Sequence, residues 1–174
     1  AAGNGPLSAV LALGSLPLLE MMFGIITPVR LLEISNPDHP LLHRLLIEAP
    51  GTYHHSIMVG NLAEAAAVAI GADNLLSRVG SYYHDVGKIR RPYFFSENQV
   101  FGVENPHDKM SPSLSATVIT SHVRDGLELA EEHRLPEVVK KFISEHHGTT
   151  LASYFYMKAS ESQSNGRGPE ELDF

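Results

Sequence analysis

Apolar positions recur along this chain at three-to-four spacing, which predicts helices almost throughout and an all-α fold. The first apolar run spans Leu7 to Val29 with Glu20 as its only charge. As one helix it would extend about 35 Å, enough to cross a bilayer of about 30 Å. Pro17, Pro28 and Glu20 favour instead two short helices on a soluble core, and these residues alone leave both readings open. Residues 33–51 form a junction. Asn36-Pro37 and His39-Pro40 favour turn or extended backbone, Pro40 opens a short helix with Leu41, Leu42 and Leu45, and Pro50-Gly51 stops it. His39 and His43 are expected at the surface or in packing.

The next helix is expected from about Thr52 to Ile70. Met58, Leu62, Ala66 and Ala69 mark its buried face, and His55, three residues before Met58, points inward with them. His54 is turned away by about 100°. Gly71 ends this helix and Asp73 caps the next, which runs from Asn74 to Val86 and carries His84-Asp85 in its last turn, before Gly87. Residues 92–112 lose periodicity and mix Tyr93, Phe94, Phe95 and Phe101 with turn residues, as a lid, a purine-stacking wall or a seal over the core. Ser111-Pro112 starts a helix in which Leu114, Val118 and His122 fall four apart. Gly126 interrupts it, and a short acidic helix follows to His133. Pro136 starts a last one, with Val139, Phe142, Ile143 and His146 on one face and Gly148 closing it.

Composition narrows the chemistry. With 174 residues the chain is long enough for one domain with a real core and leaves room for an appendage. A formal charge of −7 argues against a DNA or RNA duplex held by phosphate neutralisation. The absence of cysteine excludes disulfides and thiolate zinc sites.

Three helices thus each turn a histidine inward (His55, His122 and His146, with His147 adjacent), and a fourth brings the His84-Asp85 pair. A single histidine on an apolar face is ordinarily a satisfied core residue. Several buried imidazoles each carry a desolvation cost, which shared metal ions relieve together. An imidazole and a carboxylate can hold one cation, and the second carboxylate oxygen can bridge to another. Lys88, Arg90 and Arg91 follow at once in an acidic chain. They suit a helix C-terminus, and beside a metal pair Lys88 and Arg91 are where a phosphate's charge would be met. His107-Asp108 repeats the dipeptide in the loop, with His107 near a substrate at most.

The order His55, His84-Asp85 with Gly87-Lys88, His122, then His146-His147 resembles the HD superfamily of metal-dependent phosphohydrolases. APGTYHHS at 49–56, GSYYHDVGK at 80–88, NPHDKMSPSLSA at 105–116 and EHHGTT at 145–150 are similar to the HD domain of the seven-transmembrane HD family, whose characterised members hydrolyse cyclic di-AMP. The resemblance implies an HD-domain helical bundle with a dinuclear centre in its core. It divides the chain into the end of a transmembrane or juxtamembrane helix (1–32), a linker and short helix (33–51), the catalytic domain (52–158) and a polar tail (159–174). His55, His84 and Asp85 are expected to hold one divalent ion, and Asp85 to bridge to a second held by His122, His146 and His147. Iron or manganese is the metal associated with such sites.

Asp85 and Lys88 are the expected catalytic residues, with Lys88, Arg91 and His107 toward the substrate, and the implied product is linear pApA. The family's further metal-binding aspartate, on a later helix, has no counterpart after His147, and Asp173 stands in no matching context. The resemblance also implies a bacterial cell membrane, reached through the parent protein, with this domain facing the cytoplasm, and admits a homodimer. Two alternatives stay open: an HD phosphohydrolase for another nucleotide (guanosine tetraphosphate or a deoxynucleoside triphosphate), or a non-catalytic nucleotide-sensing module of a membrane receptor. The chain lacks a GYP motif, which disfavours the cyclic di-GMP branch.

Overall fold

The computed structural model describes residues 4–162 and is all-helical, with no strand among them. Helix α1 (Asn4–Phe23) is followed by α2 (Pro28–Ile34), α3 (Pro40–Glu48), α4 (Pro50–Ile70) and α5 (Asn74–Tyr83). A run of short 3-10 turns covers Val86–Arg90, Pro92–Phe94, Ser96–Asn98 and Pro106–Asp108, and α6 (Pro112–Glu132), α7 (Glu137–Glu145) and α8 (Ser153–Ser162) complete the order. The apolar run from Leu7 to Val29 is divided: α1 ends at Phe23, Gly24 takes a positive φ of 61°, and the Thr27 side chain caps α2. Among the described residues no helix is long and apolar enough to cross a membrane.

The core joins α2 and α3 to α5, α6 and α7. Leu31, Ile34, Leu41, Leu42 and Leu45 pack with Val79, Tyr83 and Val86, and with Leu129, Val139 and Ile143. Tyr83 is the largest fully buried side chain, and its hydroxyl donates to the Ile34 carbonyl at 2.6 Å. The residue just before the His84-Asp85 pair is therefore tied to the end of α2.

Three sequence expectations are corrected. On α4 the buried face is Thr52, Ser56, Gly60 and Ala67, whereas Met58 and Leu62 are 63% and 72% exposed. Small residues win this face because α5 lies so close that a Cβ on Gly60 would meet the Tyr82 ring at 2.5 Å. Second, α6 runs unbroken through Gly126, which serves close packing against Gly87 and Ile143 instead of ending a helix. Third, α5 stops at Tyr83, so His84 and Asp85 lie just beyond it, at the entry to the 3-10 turn. Helix α8 also carries regular structure to Ser162, four residues into the stretch expected to be tail.

Candidate metal centre

The six ligand candidates come from four segments. His55 sits in the second turn of α4, His84 and Asp85 follow α5, His122 lies on α6, and His146 and His147 follow α7. Two groupings place their ligand atoms within 4.8 Å of one another: His55, His84 and Asp85, and Asp85, His122, His146 and His147. Asp85 belongs to both, and its side chain is 5% exposed. Its Oδ2 faces His84 Nε2 at 3.2 Å and His55 Nε2 at 3.7 Å, and its Oδ1 faces His122 Nε2 at 3.4 Å and His146 Nε2 at 3.5 Å. One carboxylate thus addresses two sets of imidazoles with different oxygens.

The donor chemistry fits cations. His84, His122 and His146 each direct Nδ1 at the carbonyl three residues earlier, those of Ser81, Ile119 and Ile143. A carbonyl only accepts, so Nδ1 carries the proton and Nε2 presents a lone pair to the centre. Those lone pairs crowd: His122 Nε2 lies 3.2 Å from His146 Nε2 and 3.3 Å from His147 Nε2. Neutral imidazoles facing one another nitrogen to nitrogen repel, and a divalent cation between them converts the repulsion into coordination.

Electrostatics run the same way. Burial pushes the Asp85 carboxyl up, but the His146 and His84 rings and the Lys88 ammonium beside it hold it well below the usual carboxylate range. Burial lowers His122, and Lys88 and His146 beside it add to the effect. His147 is lowered to about 4, first by burial and then by His146 and His122. At His84 burial also depresses the imidazole, but Asp85 outweighs it and the net direction is up. His122 and His147 therefore stay neutral, as ligands must be.

Lys88 is a near neighbour of this cluster. Its Nζ donates to Asp85 Oδ2 at 2.9 Å and to Glu97 Oε1 at 2.8 Å, and lies 4.9 Å over the Phe95 ring. Phe95 also meets His122 edge-on at 5.8 Å. Arg91 and His107 are placed otherwise. The Arg91 guanidinium pairs with buried Asp125 and donates to the Ser121 hydroxyl at 2.9 Å. His107 is buried in the loop, its Nε2 donating to the Phe94 carbonyl at 2.9 Å and its ring 5.3 Å from that of Phe155, at the wall of a cavity of about 220 Å³. Sequence reasoning missed Glu97 and Asp125, and named Phe95 only as one of the loop aromatics. Asp125 carried a signal, standing one turn after His122 on the same helix; Glu97 carried none, because its partners are distant in the chain. Asp173 lies outside the described residues.

A helical domain in which imidazoles from four segments converge on one shared carboxylate has the ligand arrangement of a metal-binding domain. Residues 52–172 match the family described as HD domain, and the chain belongs to that family. The matched span runs past residue 158. HD domains use divalent metals, and the cluster around Asp85 supplies ligands for them.

The chain is 52% identical over 158 residues to the cyclic-di-AMP phosphodiesterase PgpH of Bacillus subtilis (strain 168), a match covering 91% of this chain and 22% of that protein. It is 52% identical over 153 residues to PgpH of Listeria monocytogenes serotype 1/2a, covering 88% of this chain and 21% of that protein. The solved L. monocytogenes PgpH HD domain in complex with cyclic-di-AMP superposes with a TM-score of 0.72 at 51% identity, over 79% of this chain and 63% of that one. The chain spans about a fifth of the length of the curated relatives it matches.

Proposed function

We propose that this domain hydrolyses a phosphodiester bond of cyclic di-AMP to give linear pApA. The observation that carries the reading is the division of Asp85 between two imidazole sets, in a chain half identical to PgpH enzymes along nearly its whole length. His55, His84 and Asp85 Oδ2 would hold one divalent ion, and Asp85 Oδ1, His122, His146 and His147 the other. An imidazole and carboxylate shell without sulfur suits iron or manganese. Such a pair, when bound, supplies Lewis acidity at the phosphate and lowers the pKa of water toward neutrality.

The chain's own residues do the rest. Asp85 sets the spacing of the centre, and the Nδ1–H bonds to backbone carbonyls keep the rings aimed at it. The Lys88 ammonium, beside Asp85, donates to a non-bridging phosphate oxygen as charge develops there. The water oxygen forms the new bond to phosphorus, the bond from phosphorus to the 3′ oxygen breaks, and the proton released by the water ends on the departing 3′ oxygen. Residues 1–32 lead in from the membrane region of the parent protein, a reading supported by the exposed apolar side chains of α1 and by basic residues that begin only at Arg30. On that reading the domain faces the cytoplasm.

Asp85→Ala in protein loaded with manganese or iron tests the assignment. Turnover of cyclic di-AMP should be abolished while the circular dichroism of the helices is unchanged. A variant that stays active refutes it. Guanosine tetraphosphate and deoxynucleoside triphosphates assayed alongside decide between this substrate and the other nucleotides.

A further inference from the structure

The loop between Pro92 and Ser111 lacks helical periodicity, yet one stretch of it is fixed against the start of α4. Asn98 Oδ1 accepts from the Thr52 backbone N–H at 3.1 Å, and Asn98 Nδ2 donates to the Thr52 hydroxyl oxygen at 2.8 Å. That N–H belongs to the first turn of α4, where backbone donors lack an acceptor within the helix. Ala49, at the N-cap position, offers no side-chain acceptor. Asn98 thus caps the helix from 46 residues away in sequence. Contact with Gly51 sets the approach: a Cβ there would lie 1.8 Å from the Glu97 carbonyl oxygen, so only glycine lets the loop come this near.

This anchoring delivers one carboxylate to the metal centre. Glu97 Oε1 accepts from the Thr52 hydroxyl at 3.0 Å and from Lys88 Nζ at 2.8 Å. Lys88 has a second anion in Asp85, but Asp85 is the residue both cations would share, and its charge is then engaged by them. Two divalent ions repel an ammonium, and a lysine stem left to itself gains rotamer freedom by swinging into solvent. Glu97 stands outside both ligand groupings, so its charge stays available to Lys88. Phe95, itself 5% exposed, closes another side of the ammonium.

We propose that Glu97 is a positioning residue which, braced by Thr52 and Asn98, holds the Lys88 ammonium at the metal centre when the ions are in place. The proposal rests on the reading of Lys88 as the residue that meets phosphate charge. It is tested by a double-mutant cycle on cyclic di-AMP hydrolysis, using Glu97→Gln, Lys88→Ala and the pair. Each variant's metal content is measured first, and two ions per chain are expected in all.

Glu97→Gln should lower kcat by about tenfold or more, the range of a lost charge-assisted contact, with KM within about threefold of wild type. In the Lys88→Ala background the same change should move kcat less than about twofold. A readout independent of turnover comes from protein labelled with 15N-lysine and loaded with diamagnetic zinc. A slowly exchanging Lys88 ammonium resonance is expected in the wild type and should be lost in Glu97→Gln. Thr52→Val, which removes the brace and leaves both charges, should shift kcat and the resonance in the same direction by less. It serves as the second arm should Glu97→Gln fold poorly.

Wild-type kcat for Glu97→Gln, an equal loss in both backgrounds, or an unchanged resonance overturns the positioning role. Wild-type kcat for Lys88→Ala overturns the reading of Lys88 itself, a distinct failure.

Discussion

Gly87→Ala probes how the metal centre is spaced. Gly87 lies in the 3-10 turn that carries Lys88, and it lies against α6: a Cβ built on it would meet the His122 carbonyl oxygen at 1.8 Å and the Gly126 nitrogen at 2.5 Å. Both are backbone atoms, so no rotamer change relieves the overlap. Restoring even a tight 3.0 Å contact separates the turn from α6 by about 1.2 Å, several times the roughly 0.2 Å within which metal–ligand distances hold. His122 rides on α6 and Asp85 on the turn, so the displacement falls on the pair that joins the two imidazole sets.

Overpacking a core costs about 1–3 kcal/mol, and a clash with backbone belongs at the top of that range, near 3 kcal/mol. At about 2–4 °C per kcal/mol for a chain of this size, the melting temperature should fall by about 6–12 °C. Thermal melts by circular dichroism and metal analysis of the folded protein read both effects, with fewer than two ions per chain expected. Gly71→Ala is the control. Gly71, unlike Gly87, has a positive φ, of 71°, but nothing lies within 4 Å of its Cβ position, so its variant should lose about 1–2 kcal/mol to strain and bind metal normally. A Gly87→Ala protein with two ions and wild-type turnover would refute the claim that this contact sets the spacing.

Other outcomes are expected from the same geometry. Tyr83→Phe removes a buried hydroxyl that donates to the Ile34 carbonyl and itself lies 3.1 Å from His39 Nδ1, and should cost about 1–3 kcal/mol in urea unfolding without changing metal content. His55→Ala should lose one of two ions, whereas exposed His54, on the same turn, should tolerate alanine with no change in stoichiometry. In metal-free protein His122 and His147 are lowered, the latter to about 4, so the unfolded chain binds more protons below pH 6.5. The stability they contribute is present above that value and lost as pH falls toward 4. His84, raised by Asp85, acts the opposite way, stabilising below pH 6.5 and losing that contribution as pH rises through its folded value. His39 is lowered as well, first by burial, and three lowered groups against one raised should leave a net decline on acidification. Urea titrations of the metal-free protein between pH 7 and 4 check it, and His147→Gln should flatten the slope.

Helix content and the metal cluster were legible before any coordinates, and for the same reason. Helical spacing, capping by Asp73 and Ser111, and the stop at Gly71 are local, so each shows in a window of a few residues. The His84-Asp85 pair before Gly87 could be read the same way, and so could the burial of His122, although Leu114, assigned to the same stripe, is 51% exposed and the buried face of α6 runs through Ser115, Ala116, His122 and Leu129. Where side-chain size decided the packing, the reading failed. On α4 the larger residues Met58 and Leu62 marked the buried face by pattern, but glycine and serine won it because the neighbouring helix needed room. Gly126 was read as a break for a related reason: from sequence alone, a glycine that ends a helix and one that lets a neighbour approach look alike.

The order of residues alone determined the helical class, the family and which histidines and aspartate to consider as ligand candidates, because side-chain chemistry and helical period are written in neighbouring positions. Which oxygen of Asp85 faces which imidazoles was decided only when four distant segments packed together. So were the tether of Arg91 to Asp125 and the loop that carries Glu97 to Lys88. Apart from Glu97 to Lys88, whose geometry rests on the distant Thr52, these are contacts between residues tens of positions apart, set by how closely backbones approach at Gly51, Gly60 and Gly87, and a distance of that kind is a property of the assembled core.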